Sequence, residues 1–310
     1  MIADFRDAYV LTGPTGCGKT QLALELAERH GAEIVSMDSM ALYRGLDIGT
    51  AKPTADERRR VPHHLIDVLD PWQSASVAWW LDQARACCRD IRSRGKRVLL
   101  VGGTPLYLKA LLQGLFDGPP ADEALRQRLT QDAEQHGGAA LHARLATVDP
   151  AGAARLHPND LRRVIRALEV WELTGRAISD WQRQWATAPD ADGPRVVWLA
   201  LPRAELYERI DRRVERMFAD GLVDEVRALR ALPRPLSREA GQALGYKEVF
   251  AHLDGQASLA DTVALVQTRT RQFAKRQVTW FRHLPNCRPV VTAEVMNLIP
   301  DTPPQPAPAR

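Results

Sequence analysis

The sequence predicts an α/β fold: a parallel sheet flanked by helices, interrupted by a helical insertion domain. Three observations predict it. Short apolar runs at Ala8–Thr12, Glu33–Met37, Arg97–Val101 and Val196–Leu201 alternate with stretches of helical periodicity, the pattern of parallel strands joined by crossover helices. A glycine-rich turn follows the first strand and runs directly into a helix. Between Pro119 and Pro189 no strand pattern occurs and helical spacing dominates.

The elements follow in order. After the strand Ala8–Thr12, a helix runs from Lys19 to Arg29, with Leu22, Ala23 and Leu26 at helical spacing and Gly31 as its stop. Glu33–Met37 is the second strand. Ser76–Arg94 is an amphipathic helix, because Val77, Trp80, Leu81, Ala84, Cys88 and Ile91 repeat every three or four residues before Gly95. Arg97–Val101 is a buried-type strand ending in Gly102–Gly103, and Pro62–Asp67 precedes another short strand. Beyond the insertion, Val196–Leu201 returns to the sheet. Helices follow at Arg203–Ala219, Leu222–Leu232 and Leu259–His283. About 150 residues per domain allows two domains here. The expected division is a core of residues 1–118 and 190–292, an insertion of 119–189, and a disordered proline-rich tail of 293–310.

Composition narrows the function. No run reaches the roughly 18 apolar residues of a membrane span, and the first residues, MIADFRDAYVL, fit neither a secretory signal nor a transit peptide. Cys17, Cys87, Cys88 and Cys287 lack the spacing of zinc ligands and are too few for a disulfide scaffold. A cytoplasmic protein is expected. A net charge of +4 permits an anionic partner without requiring one. No long coiled-coil pattern occurs, so a monomer is expected.

Gly13-Pro14-Thr15-Gly16-Cys17-Gly18-Lys19-Thr20 fits G-x-x-x-x-G-K-[ST] between a strand and a helix, the context of a phosphate-binding loop. This makes the sheet P-loop NTPase-like. Glycines let backbone N–H groups turn inward around a phosphate, and the helix N-terminus adds partial positive charge. Lys19 supplies a full charge, and the Thr20 hydroxyl is a candidate Mg2+ ligand. Such a loop specifies a class of ligand and no reaction.

Ligands of open parallel sheets bind at the carboxyl ends of strands, which places Asp38 beside this loop. By position it is a magnesium ligand, a proton acceptor or a cap for the following turn. His63 and His64 are adjacent and would point apart on a strand, which disfavours a shared metal. Gly102-Gly103-Thr104 ends the next strand with two glycines that admit a close ligand and a hydroxyl that can donate or accept. RVLLVGGT carries no acid of the Walker B kind, which counts against a motor ATPase or GTPase.

The stretches GPTGCGKT, SMDSMALYRGLDIGTAKP, PHHLID, LVGGTPLYLKALL, HPNDLRRVIRALEV, GYKE and TRTRQFAKRQVTWFR, spread over residues 10–283, together resemble the tRNA dimethylallyltransferase (tRNA isopentenyltransferase) family. With no ligand set for a C-terminal zinc finger, the chain is similar to the compact bacterial type. The resemblance implies transfer of a dimethylallyl group from dimethylallyl diphosphate to N6 of adenosine 37 of tRNA, with Mg2+ as cofactor. It implies Asp38 as the catalytic base with Thr104 and Lys19 as catalytic partners. Gly13 to Thr20 and an arginine of the LYERIDRRVERMF helix would bind diphosphate. Of Arg209, Arg212 and Arg213, Arg209 is the favoured one.

For the tRNA anticodon stem–loop the resemblance implies contacts at Asp38, Ser39, Met40, Ala41 and Thr104. Further contacts are Arg126, the run Arg162, Arg163, Val164, Ile165 and Arg166, and the run Gln242, Ala243, Leu244, Gly245, Tyr246 and Lys247. Tyr246 would stack on a base and Lys247 would meet phosphate. Asn159 or Asp160 would cap the arginine-bearing helix. From 260 to 288 six basic residues face only Asp261, while Phe273, Trp280 and Phe281 on that helix read as core. Two other classes remain as alternatives: a P-loop small-molecule kinase, and a non-catalytic RNA-binding module that keeps the loop.

Overall fold

A computed structural model describes residues 3–115, 118–182 and 193–300. It divides into two compact units, Met1–Leu112 with Pro189–Arg310, and Gln113–Ala188. Most of the expected linker at Thr187–Pro194 lies outside the described residues, as does the proline-rich end from 301 onward.

In the first unit, β1 (Tyr9–Thr12) leads through the glycine turn into α1 (Lys19–His30), and β2 (Ala32–Ser36) follows at once. Next come α2 (Ala55–Arg60), β3 (His63–His64), α3 (Val77–Ser93), β4 (Arg97–Gly102) and α4 (Pro105–Gln113). Strands β1 and β2 are buried along their whole length, as expected for a sheet covered on both faces. Local chemistry sets the helix ends. Thr54 and Glu57 form a capping box on α2, the Ser76 hydroxyl accepts the N–H of Trp79 on α3, and Gly31 ends α1 in the left-handed region.

Among the described residues the regular elements of the second unit are helices: α5 (Glu123–His136), α6 (Gly138–Val148), α7 (Pro150–Ala153), α8 (Leu161–Thr174) and α9 (Ile178–Trp181). Leu125, Leu129, Leu141, Leu145, Val164, Leu168 and Val170 form its own core. Asp160 caps α8 by accepting the N–H of Arg163, and buried Asp149 accepts the N–H groups of Gly152 (2.7 Å) and Ser179 (3.0 Å).

The first unit resumes with β5 (Arg195–Leu199), α10 (Arg203–Ala219), α11 (Leu222–Arg230), α12 (Arg238–Gly241), α13 (Tyr246–Leu253), α14 (Leu259–His283), β6 (Cys287–Val290) and α15 (Thr292–Val295). The six strands form one parallel sheet in the order β3-β2-β4-β1-β5-β6. Thr12 stands opposite Gly102 and Trp198, and Ser36 opposite Val101. The segments after β1, β2 and β4 therefore meet at one carboxyl edge, where ligands of such sheets bind. Among the described residues no helix is long and apolar enough to cross a membrane.

Two expectations need correction. The short strand near the paired histidines is His63–His64 itself; His63 bonds the Val61 carbonyl and His64 bonds Glu33. The segment after residue 292 is not a disordered tail up to residue 300. Val295, Leu298 and Ile299 are buried in the main core, and Arg97 donates to the Pro300 carbonyl at 2.7 Å. Three apolar side chains there reach the sheet, so burial outweighs the entropy of a loose end.

Candidate active site

The phosphate loop sits between β1 and α1. Gly18 is the N-cap of α1 in the left-handed region, with no side chain to occupy the first N–H groups of the helix, so these are open to an anion. Lys19 Nζ donates to the carbonyls of Gly13 (2.8 Å) and Pro14 (2.9 Å), lying back across its own loop. Cys17 is buried in the core, and its sulfur is 3.6 Å from Lys19 Nζ. Thr20 is exposed in the first turn of α1.

Thr15 is held on two sides. Its N–H donates to Oε1 of Gln277 at 2.8 Å, and its hydroxyl accepts from the guanidinium of Arg213. Of the three arginines on α10, Arg213 meets the loop through Thr15. Burial pushes its guanidinium below its ordinary value, with the Asp38 carboxylate opposing, and its Nε is shut from solvent without a hydrogen-bond partner among the described residues. Arg209, the favoured candidate, pairs with Glu205 at 2.7 Å and passes beside Gly18. Arg212 is exposed and paired with Glu208. Two arginines one helical turn apart thus reach the loop, and Arg213 is the more enclosed of them.

Asp38 stands on the turn after β2. Its Oδ1 accepts the N–H of Met40 at 2.9 Å, so the capping role is real; Oδ2 takes no hydrogen bond among the described residues. The turn is tied to the end of β4. Met37 N donates to the Val101 carbonyl (2.7 Å), Thr104 N donates to the Met37 carbonyl (3.2 Å), and Ser39 N donates to the Thr104 hydroxyl (3.1 Å). Gly102 and Gly103 are required by close approach: a Cβ on Gly102 would lie 2.3 Å from the Met37 carbonyl carbon, and one on Gly103 2.7 Å from Gln277 Nε2. Lys19, Thr15, Asp38, Ser39 and Thr104 are therefore gathered by short local links at one edge of the sheet.

Gln277 was not singled out by the sequence reading, although a signal existed. Thr270, Ala274, Gln277 and Phe281 are buried at helical spacing on α14, so an amide stands in an apolar stripe, which demands partners. It has them in Thr15 and Gly103. Phe281 is core, as expected.

The expected RNA contacts divide into exposed and buried residues. In the helical unit, Arg162 and Arg163 are exposed, the latter paired with Asp160 at 3.1 Å. Val164 is fully buried and supplies packing, which corrects its assignment to RNA; Ile165 packs partly against the same core. Arg126 and Arg166 converge on Glu169, a carboxylate with no exposed surface. It also accepts the N–H of Asp122 at 2.7 Å. Burial raises the Glu169 pKa, but the hydrogen bonds from Arg126 and Arg166 outweigh it and hold the group below the ordinary carboxylate value.

In the sheet unit, Met40 is half-buried and Ala41 is buried with its carbonyl taken by Asp67 N at 3.1 Å. Gln242 and Lys247 are exposed, Leu244 is half-buried, and Ala243, Gly245 and Tyr246 are buried. The expectation that Tyr246 stacks on a base is overturned: the residue has no exposed surface, and its hydroxyl donates to Glu225 at 2.5 Å. The basic helix α14 is partly neutralised, since Arg269 pairs with Glu248 and Arg271 with Asp211, while Lys275, Arg276 and Arg282 are exposed.

The family model described as IPP transferase matches residues 41–284, and that described as isopentenyl transferase matches residues 6–67. The tRNA dimethylallyltransferase of Geobacter metallireducens is 50% identical over 273 residues, covering 88% of each chain. That of Rhodopirellula baltica is 48% identical over 292 residues, covering 92% of this chain and 87% of the relative. Among solved structures, the full-length tRNA isopentenylpyrophosphate transferase of Bacillus halodurans superposes with a TM-score of 0.67 at 39% identity, covering 94% of both chains. A eukaryotic dimethylallyltransferase acting on tRNA superposes with a TM-score of 0.75 at 30% identity, covering 88% of this chain and 69% of that one. From its motifs, its sheet and these relatives over nearly its whole length, the chain belongs to the tRNA dimethylallyltransferase family.

Proposed function

We propose that the chain transfers the dimethylallyl group of dimethylallyl diphosphate to N6 of adenosine 37 in the tRNA anticodon loop, releasing diphosphate. One observation carries the reading: a phosphate loop, through Gln277, and a carboxylate with an unspent oxygen are tied to the same strand end. β4 and the turn after it, RVLLVGGT, carry no carboxylate of the Walker B kind, which counts against a motor ATPase or GTPase.

The C1–O bond of the donor breaks and a C1–N6 bond forms. The bonding electrons of the first leave on the diphosphate oxygen. Open N–H groups of α1, Lys19, Arg213 and Arg209 stabilise that charge as it develops. N6 is a weak nucleophile because its lone pair is conjugated with the ring. Asp38, through Oδ2, accepts a hydrogen bond from N6–H, orients it and takes the proton as the new bond forms. Thr104 steadies the Asp38 turn through Ser39.

Magnesium fits this arrangement through Thr20. No group of three His, Cys, Asp or Glu side chains suited to a metal occurs among the described residues. A magnesium ion held mainly by a diphosphate needs only one or two protein oxygens, and the exposed Thr20 hydroxyl at the start of α1 supplies one. Bound there, the ion would neutralise charge on the leaving diphosphate. For RNA, Arg162 and Arg163 on the helical unit and Gln242, Lys247, Lys275, Arg276 and Arg282 on the sheet unit are the exposed groups of the right chemistry.

The test is incubation with magnesium, dimethylallyl diphosphate and an unmodified anticodon stem–loop, then nucleoside mass spectrometry. A dimethylallyl increment on adenosine, lost in Lys19→Ala and Asp38→Ala, is the expected result. Phosphate transfer from ATP in its place would favour the kinase, and RNA binding with no turnover the binding module.

A further inference from the structure

The amide of Gln277 is used at both ends. Oε1 accepts the N–H of Thr15 at 2.8 Å and Nε2 donates to the carbonyl of Gly103 at 2.6 Å. Only a side chain that accepts at one end and donates at the other can do this, and the two partners fix which end is which. The fit is close, since Gly103 has no room for a Cβ against Nε2. Gln277 itself is 2% exposed.

The two partners belong to opposite sides of the reaction. Thr15 lies in the loop that would hold the departing diphosphate. Gly103 precedes Thr104, whose N–H and hydroxyl bond Met37 and Ser39, the residues on either side of Asp38. One buried amide therefore spans from the leaving-group loop to the turn that carries the base. It also withdraws the Thr15 N–H from the phosphate cradle, leaving that cradle to the amides further along the loop and at the start of α1.

We propose that Gln277 is a positioning residue for the transfer, setting the spacing between the diphosphate loop and the Asp38 turn. The inference rests on the transfer reading above. A displacement at carbon needs the attacking nitrogen and the departing oxygen in line, and a misplacement of about 1 Å can cost about 100-fold in rate. Both ends of the Gln277 amide are spent on Thr15 and Gly103, and it acts through them.

The test compares Gln277→Met and Gln277→Glu with the unaltered protein, each checked for folding by circular dichroism. Gln277→Met keeps the bulk and loses both hydrogen bonds. Its kcat should fall about 10- to 100-fold while the KM for donor changes much less. Gln277→Glu accepts from Thr15 but can donate to Gly103 only when protonated. The ratio of its kcat to that of the unaltered enzyme should therefore rise as pH falls from 8 to 6, a signature that simple loss of stability would not produce. Gln277→Met with unaltered kcat, or a flat ratio for Gln277→Glu, would overturn the role of Gln277 alone. No product from the unaltered protein would overturn the transfer reading first, and this inference with it.

Discussion

Tyr246 donates its hydroxyl to Oε1 of Glu225 at 2.5 Å, and the same carboxylate accepts the N–H groups of Asp47 (2.9 Å), Ile48 (2.8 Å) and Gly49 (3.3 Å). The tyrosine ring packs against Gly49, where a Cβ would stand 2.4 Å from Cε2. The GLDIGTAKP and GYKE motifs thus meet each other. The same loop is held from its other end by Lys52, which bonds the Tyr43 carbonyl and the Asp47 and Asp67 carboxylates. Tyr246→Phe should cost about 1.5–3 kcal/mol of stability, the range for a hydrogen bond to a charged group. RNA affinity should stay within about twofold, because no stacking surface is lost. Urea unfolding and anisotropy titration with an anticodon stem–loop read the two effects separately, and a large loss of affinity without loss of stability would restore the stacking role.

Asp38→Asn should lower the single-turnover rate by about 100- to 10,000-fold, the usual weight of a general base. The amide oxygen can still accept the Met40 N–H, so the turn should keep its shape and donor affinity should hold. Rapid-quench assays with saturating donor decide this. A rate within threefold of the unaltered enzyme would remove Asp38 from proton transfer.

Arg213→Met should weaken diphosphate binding by about 10- to 150-fold, the equivalent of losing a charged hydrogen-bond donor from an enclosed site. Arg209→Ala should cost less, since Arg209 is solvent-exposed and shares its charge with Glu205. Calorimetric titration with inorganic diphosphate ranks the two, and the opposite order would return the leading role to Arg209.

Glu169 makes stability in the helical unit depend on acid pH. Its folded pKa lies below the unfolded value near 4.5. Its contribution is therefore full above that value and lost as pH falls through the folded one. Glu169→Gln removes the buried carboxylate on which Arg126 and Arg166 converge and should cost about 3–5 kcal/mol at pH 7, typical of breaking a buried pair. The gap between the two proteins should narrow below about pH 4.5. Urea midpoints from pH 3.5 to 7 test this, and a constant gap would mean that the carboxylate is not the source.

Where interactions are local, the sequence was legible. The strand–turn–helix around GPTGCGKT, the helix Arg203–Ala219 and the helix Leu259–His283 were readable to the residue or nearly so. Their periodicity, glycine stops and caps act within a few positions. The edge strands were not readable. His63–His64 and Cys287–Val290 have too few residues to show a period, and Pro289 argues against a strand except at an edge. They exist because β2 and β5 offer them partners. The apolar residues after 292 were overlooked because the prolines that follow dominate the composition there.

By itself, the sequence determined the chemistry available: an anion-binding loop, a strand-end carboxylate, and a family motif set in the right order. These depend on backbone geometry and residue type over spans shorter than a single element. Which distant side chains meet at the loop depends on the packing of whole elements. Packing joined Arg213 to Thr15 of the loop, buried Tyr246, and brought Gln277 of the last long helix to the first loop, 262 residues away along the chain. No local pattern encodes these placements, because the direction in which a side chain points is settled by how one helix packs on the next.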